Sequence, residues 1–215
     1  MRTRTARELR PRRSPSQRRS RDTVQAILMA AARVFATAGY AAGTTNRIAD
    51  EAGVSVGSLY EYFPNKDALL LALMEAHLAE GQGIVQEAMV EIAARRPPLR
   101  EAVRHLVDAM VDLHARDRAL HRVLFEEAPL PAHLRRRVAD AERTIACQVA
   151  GYLRAQPEVR VPDVDLAAVV IVQTVEALTH KLVVHGERTS RDALAEEMVA
   201  LLTLNLTARG SRVAG

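Results

Sequence analysis

The sequence has little of what disulfide-bonded or aromatic-rich proteins depend on. Its 215 residues include one cysteine, no tryptophan and only seven Phe and Tyr residues. The lone cysteine, Cys147, excludes an internal disulfide, which agrees with a reducing compartment. No stretch approaches a spanning run of about 20 apolar residues, and the Arg-rich N-terminus lacks the apolar segment of a secretory signal. We therefore expect a cytoplasmic protein with no membrane partner.

Strand patterns and internal repeats are also missing. From Val24 onward the apolar residues recur at helical spacing, and proline or glycine separates most of the segments. The pattern predicts an all-α fold with about nine helices. Their predicted ranges are 24–38, 45–52, 56–63, 66–95, 99–116, 118–127, 134–155, 164–185 and 191–206.

Positive charge is concentrated toward the N-terminus. Residues 1–66 carry twelve Lys and Arg against five Asp and Glu, a net charge of +7, whereas the remainder has a net charge of −3. Nine arginines fall in the first 21 residues, among prolines and without apolar spacing. Residues 1–20 are predicted to be a disordered basic arm, which can follow DNA phosphates or serve only as a solvated tail.

Two short predicted helices form a candidate helix-turn-helix. The link Gly53-Val54-Ser55-Val56 joins them, and the helix over 24–38 precedes them. The second short helix begins with small and hydroxylic residues, which allow close approach to DNA and hydrogen bonds to phosphates or base edges. Its outward positions are predicted to include Tyr60 and Tyr62, with their phenols free for the DNA backbone. The alternative is a helical hairpin in which Thr44 and Ser55 act only as caps.

The stretch TTNRIADEAGVSVGSLYEYFPNKDALL, residues 44–70, resembles the DNA-binding signature of the tetracycline-repressor (TetR) family. The resemblance extends upstream through ILMAAARVFATAGY, residues 27–40. It implies a DNA-binding domain over 21–81 and a larger helical domain over 82–215 that dimerises and binds an effector. It also implies a homodimeric regulator, most simply a repressor that a small molecule releases from a palindromic operator.

The same resemblance assigns roles by position. Thr44, Thr45 and Lys66 match phosphate contacts, and Asn46 and Arg47 match positions that reach bases. Val56 stands where the family usually has a basic residue, so an apolar contact with a thymine methyl is expected there. The full predicted DNA-binding set is Thr44, Thr45, Asn46, Arg47, Ser55, Val56, Gly57, Ser58, Tyr60, Tyr62 and Lys66.

The larger domain gives weaker signals. Residues 164–185 are apolar around most of the helix, and Leu194, Met198, Leu201 and Leu204 form a stripe on the last helix. We predict that these two helices form the dimer interface, with burial inside a monomer as the alternative. Polar and aromatic residues among apolar ones are the candidate ligand contacts, or else satisfied core groups. They are His114, Phe125, Gln148, Tyr152, Gln173, Thr174 and Glu176.

No catalytic group, cofactor or metal site is predicted. His114, Asp117 and His121 are spaced to share one helical face, but without a cysteine cluster or a second histidine pair a solvated face is the preferred interpretation. The competing functions are a helical enzyme or carrier with a basic end, and a DNA-binding protein that has no small effector. A cavity lined by Gln148 and Gln173 would favour an effector, whereas a filled core would favour the second alternative.

Overall fold

The computed structural model describes residues 18–127, 132–184 and 190–208, and all regular structure in these ranges is helical. The all-α prediction is thereby confirmed, whereas most of the predicted basic arm lies outside the described residues. The helices are α1 Arg18–Ala42, α2 Thr45–Ala52, α3 Val56–Tyr62, α4 Lys66–Arg95, α5 Leu99–Arg116, α6 Arg118–Arg122, α7 Ala132–Arg154, α8 Val164–Leu178 and α9 Arg191–Thr207.

Side-chain caps fix where several helices begin. The Asn65 side chain accepts a hydrogen bond from the backbone N–H of Ala68, at 2.9 Å, at the start of α4. Asp163 and Ser190 cap α8 and α9 in the same way. Such caps satisfy backbone donors that a helix leaves unpaired in its first turn. The helix starts were predictable for this reason.

Two predicted helices change their winding before they end. The segment Val123–Glu127 after α6 and the segment Thr179–Val184 after α8 are π-helical rather than α-helical. Apolar spacing predicted continuous α-helices over 118–127 and 164–185. The prediction of helical structure was right, but the prediction of α-helical winding was wrong for these two segments. A π-helical turn contains one extra residue, and over five or six residues this does not change the apolar pattern visibly.

The chain divides into two compact units. The first comprises Met1–Leu78 with Ala119–Arg135, and the second comprises Ala79–Arg118 with Arg136–Gly215. The sequence analysis assigned residues 82–215 to one domain. The structure instead groups residues 119–135 with the first unit. The reason is packing, because Val123, Leu124 and Leu134 are buried in the core of the first unit.

The second unit has its own core. Helices α5 and α9 pack together and contribute buried residues such as Val107, Val111 and Met198. Helix α7 adds Val149 and Leu153 to the same cluster. Amphipathic helices that bury one stripe against each other are sufficient to form such a core.

Two of the described helices are long and apolar enough to span a membrane, judged by length and composition alone. They are Ser20–Ala42 and Lys66–Arg95. The expectation that no segment approaches a span was therefore too strong. Both helices contribute buried residues to the core of the first unit, among them Phe35 and Leu69. We interpret their hydropathy as that of core helices.

Candidate DNA-binding surface and ligand cavity

The turn between α2 and α3 has the geometry of a helix-turn-helix. Gly53 ends α2 in the left-handed conformation, with φ of 67° and ψ of 30°. Ser55 caps α3, and its hydroxyl accepts a hydrogen bond from the backbone N–H of Ser58 at 3.0 Å. A glycine tolerates this positive φ without the steric cost that other residues carry. Ile48, Ala49 and Leu59 bury the inner faces of the two helices.

The outer faces of α2 and α3 meet at a hydrogen bond between two predicted contact residues. The hydroxyls of Thr45 and Tyr60 lie 3.0 Å apart, and Tyr60 remains 39% exposed. Arg47 is exposed, and its guanidinium donates to the Ala42 carbonyl at 3.4 Å, at the edge of hydrogen-bond range. The structure thus places a hydroxyl pair and an exposed guanidinium group on α2 and α3.

The remaining predicted DNA contacts differ in exposure. Thr44, Asn46, Ser55 and Gly57 are exposed, whereas Val56, Ser58 and Lys66 are half-buried. Val56 also packs against the core of the first unit. A Cβ on Gly57 would meet nothing closer than the Ser55 hydroxyl at 3.7 Å, so local packing does not require a glycine there.

Tyr62 is placed differently from the prediction. Only 8% of it is exposed, and its hydroxyl forms a 3.0 Å hydrogen bond with the Ser20 hydroxyl of α1. The prediction of an outward side chain with a free phenol was wrong. At the last residue of a two-turn helix, spacing alone does not distinguish the outer face from the side that turns toward α1.

Lys66 connects the start of α4 to the end of α1. Its ammonium group donates to the carbonyl oxygens of Tyr40 at 2.8 Å and Ala41 at 3.2 Å, and it lies 4.2 Å from the centre of the Tyr40 ring. Burial lowers the pKa of this ammonium group. Two of its three N–H donors are used within the protein, which leaves one for an anion.

A cavity opens among the helices of the second unit. Its open volume is about 80 Å³, and it is lined by fifteen residues, twelve of them Val, Leu, Ile or Met. Its lining residues are Val85, Val103, Leu106, Val107, Met110, Glu142, Ile145, Val149, Tyr152, Leu153, Ile171, Val172, Val175, Glu176 and Leu202. Glu142 was not among the predicted ligand contacts, because it lies on α7 among charged neighbours in the sequence.

Of the seven predicted ligand contacts, the structure brings Tyr152 and Glu176 to the cavity wall. Gln148 and Gln173 are not among the lining residues and are engaged elsewhere. Gln148 donates to Gln86 at 2.9 Å, and Gln173 donates to Glu142 at 2.7 Å. Thr174 is also outside the lining. The cavity is therefore present, but not with the glutamine lining that the sequence suggested.

Phe125 lies in the first unit. Its ring stacks on that of His121, with centroids 4.4 Å apart and planes at 19°, and it packs against the core. His121 is 3% exposed and its ring also meets that of His77 edge-on. The predicted solvated histidine face was wrong, because His114 and His121 are both buried.

His114 does not line the cavity itself, but it contacts the lining residue Glu176. One ring nitrogen hydrogen-bonds to the Met110 carbonyl at 2.8 Å, and the other lies 3.4 Å from the Glu176 carboxylate. Burial lowers the pKa of His114, but the hydrogen bond and charge of Glu176 together with the Met110 hydrogen bond outweigh it, and the net pKa lies above its ordinary value. This contact links α5 to α8 at the cavity wall.

Two family models match the chain. Residues 27–73 match the model described as bacterial regulatory proteins, tetR family, and residues 98–204 match the tetracyclin repressor-like C-terminal domain. The first match covers α2, α3 and their turn. The second covers α5, α7, α8 and α9, four of the five helices that line the cavity.

Curated relatives match part of the chain. The HTH-type transcriptional activator FasR of Mycolicibacterium smegmatis is 36% identical over 100 residues, which are 46% of this chain and 44% of FasR. The uncharacterized HTH-type transcriptional regulator YerO of Bacillus subtilis is 34% identical over 71 residues, 33% of this chain and 25% of YerO. The matched segment thus spans less than half the length of these relatives.

Solved structures match over most of the chain. The transcriptional regulator FadR from Bacillus subtilis, in complex with stearoyl-CoA, has a TM-score of 0.65 at 25% identity, covering 84% of this chain and 98% of that one. The fatty acid degradation regulator FadR from Bacillus halodurans has a TM-score of 0.70 at 23% identity, with coverage of 87% and 97%. The second likeness shows a shared fold.

Proposed function

Because the chain belongs to the TetR family of DNA-binding transcriptional regulators, we propose that it acts as a homodimeric repressor that a small aliphatic effector releases from a palindromic operator. The observation that carries the proposal is the polar surface of α2 and α3, which presents Thr45, Arg47 and Tyr60 beside a correctly formed turn. Hydroxyl and guanidinium groups are suited to phosphates and base edges. A regulator of chromosomal DNA in bacteria works in the cytoplasm.

The proposal of a dimer rests on an apolar face of the second unit. Helices α8 and α9 pack on each other, and each carries large apolar side chains that remain exposed. These side chains are Leu166, Val169, Val170, Leu201 and Leu204. Exposed apolar side chains of this size on two packed helices favour association with another surface. A second copy offers the same face, so an isologous four-helix interface would bury both.

The stripe predicted on the last helix divides between two roles. Leu194 and Met198 are buried within the second unit, whereas Leu201 and Leu204 are 54% and 68% exposed. The first pair therefore stabilises the monomer, and the second pair is available to a partner. Burial within a monomer thus holds for Leu194 and Met198, and the proposed dimer interface uses Leu201 and Leu204.

The effector proposal rests on the cavity. Its walls are almost entirely aliphatic, which favours an elongated hydrocarbon ligand. The open volume of about 80 Å³ is roughly half of the ~150 Å³ cavity known to admit benzene. A longer ligand must therefore push the lining helices apart. A ligand that binds only the expanded state shifts the population toward it, which is the requirement for control of DNA binding.

The experiment that tests the proposal is quantitative footprinting on the DNA upstream of the gene, at fixed salt. We expect a protected palindrome with the intact protein and none with an Arg47→Ala, Tyr60→Ala double variant. Arg154→Ala is the matched control, because Arg154 pairs with Asp165 in the second unit. Equal protection by the double variant would show that this surface does not read DNA.

Activation is a second candidate, because the FasR relative is named a transcriptional activator. The same DNA-binding surface serves either outcome, since the position of the operator relative to the promoter decides it. A reporter gene behind the protected palindrome distinguishes them: deletion of the regulator raises expression under repression and lowers it under activation.

A further inference from the structure

Three aromatic rings pack together in the first unit. His77 lies on α4, His121 lies on α6, and Phe125 lies in the π-helical segment that follows. The two imidazole rings meet edge-on, with centroids 4.9 Å apart. Phe125 stacks on His121 and meets His77 at a centroid distance of 5.7 Å. Two histidines from separate stretches of the chain are thus brought side by side.

The ring nitrogens of the two histidines are close enough to share a metal ion. A nitrogen of His77 lies within 4.8 Å of a nitrogen of His121. Two nitrogens bound to one tetrahedral zinc ion lie ~3.3 Å apart, since each Zn–N bond is about 2.0–2.1 Å long. His77 is half-buried, and rotation of its ring about χ2, a torsion with broad preferences, covers the difference.

The type of residue and its surroundings both favour a transition metal. Neutral imidazole is the commonest protein ligand for metals, and it is suited to zinc, copper, nickel and iron. His121 is only 3% exposed. A buried imidazole requires partners for its ring nitrogens, and a metal ion serves as one. The sequence analysis missed this pairing because it compared His121 with its neighbours in the chain and not with His77 on α4.

We propose that the first unit binds a divalent transition-metal ion, such as Zn²⁺, through one imidazole nitrogen each of His77 and His121, with water at the remaining positions. Structural zinc sites have four protein ligands and no open position. A site with two protein ligands instead binds its ion reversibly. The inference concerns the first unit alone and is independent of the proposed effector.

A bound ion would join two parts of the first unit that are distant in the sequence, α4 and the segment 119–135. The same segment already contacts α1, because the Glu127 carboxylate accepts a hydrogen bond from the backbone N–H of Tyr40 at 3.1 Å. An ion that binds the folded form and not the unfolded form stabilises the folded form by mass action. Zn²⁺ should therefore raise the Tm of the protein.

Two measurements on the metal-free, full-length protein test the site. Calorimetric titration with Zn²⁺ slightly above neutral pH, where histidine is mostly neutral, measures the affinity and the number of ions bound. Thermal unfolding in about a hundredfold excess of free Zn²⁺ over its Kd should show a Tm raised by about 5–11 °C.

Variants assign the ion to residues. Loss of even an outer partner of a metal ligand costs about 10–100-fold in affinity, so His77→Gln and His121→Gln should each weaken Zn²⁺ binding at least about tenfold. His105→Gln removes a partly exposed histidine that pairs with Glu91 at 3.1 Å, and Cys147→Ser removes the exposed thiol. Neither of these two controls should change the affinity. Circular dichroism of each variant checks that it folds.

The half-buried position of His77 makes His77→Gln the deciding variant if His121→Gln does not fold. Zn²⁺ binding and a raised Tm that both depend on His77, and that persist in His105→Gln and Cys147→Ser, would support the site. Failure of the unmodified protein to bind Zn²⁺ would overturn it. An affinity unchanged in His77→Gln would also overturn it, because the ion would then be bound elsewhere on the chain.

Discussion

The same substitution, glycine to alanine, should have opposite effects at Gly43 and Gly83. A Cβ on Gly43 would lie 2.5 Å and 2.7 Å from two ring carbons of Phe35. Phe35 has no exposed surface, and its ring also contacts that of Tyr40, with centroids 5.7 Å apart. The ring cannot swing into solvent, so the clash must be absorbed by the core. Overpacking of this kind costs about 1–3 kcal/mol.

Gly83 provides the matched control. It lies within α4, and a Cβ there would meet nothing within 4 Å. Alanine restricts the unfolded chain and favours the helix, so the free energy of unfolding should rise by about 0.5–1 kcal/mol. In a chain of this size 1 kcal/mol shifts the Tm by about 2–4 °C. Gly43→Ala should therefore lower the Tm by about 2–12 °C, and Gly83→Ala should raise it by about 1–4 °C.

Differential scanning calorimetry measures both shifts. Gly43→Ala should also weaken operator binding, because Gly43 immediately precedes the Thr44 cap of α2. If Gly43→Ala melts at or above the temperature of the unmodified protein, the close approach of the α1–α2 link to Phe35 is refuted. If Gly83→Ala melts lower, the open surface assigned to that side of α4 is refuted.

Two further predictions concern the second unit. Leu204→Glu should convert a dimer to monomers in light scattering at micromolar concentration, because a charge would enter the apolar face. Asn205→Glu, at an exposed position turned about 100° around α9 from Leu204, is the control, and a dimeric Leu204→Glu would contradict the proposed interface. His114→Gln should cost more free energy of unfolding at mildly acidic than at alkaline pH. The raised pKa of His114 gives a stabilisation that is full below its ordinary value of 6.5 and is lost as pH rises through the raised value. An equal cost in denaturant titrations at both pH values would refute the charged contact with Glu176.

Local signals in the sequence predicted the helices well. Ser55 and Asn65 cap helices at the expected residues, and prolines separate the later helices near the expected bounds. Caps and breakers act through the backbone within one turn, so they are readable without knowledge of tertiary structure. The DNA-binding surface depends mostly on such local geometry, which explains why most of its predicted residues are exposed.

Tertiary packing accounts for what the sequence did not predict. The burial of Tyr62 depends on the approach of Ser20 from another helix. On the last helix, Leu194 is buried and Leu204 is exposed, and the packing of the neighbouring helices decides which is which. The cavity is lined by five helices, so no single segment contains its pattern. The available signal was a polar residue within an apolar helix. This signal did not distinguish Glu176, which lines the cavity, from Gln173, which does not.

Segments of the two units alternate along the chain, and this order limits how regulators of this kind can be recombined. The core of the first unit includes Val123, Leu124 and Leu134, which follow α5 in the chain. A chimera that joins the operator-reading half of one regulator to the sensing half of another at Pro97 would pair a foreign 119–135 segment with the α1 core. A biosensor built from this chain must exchange that segment together with α1–α3, and place its other junction inside α4.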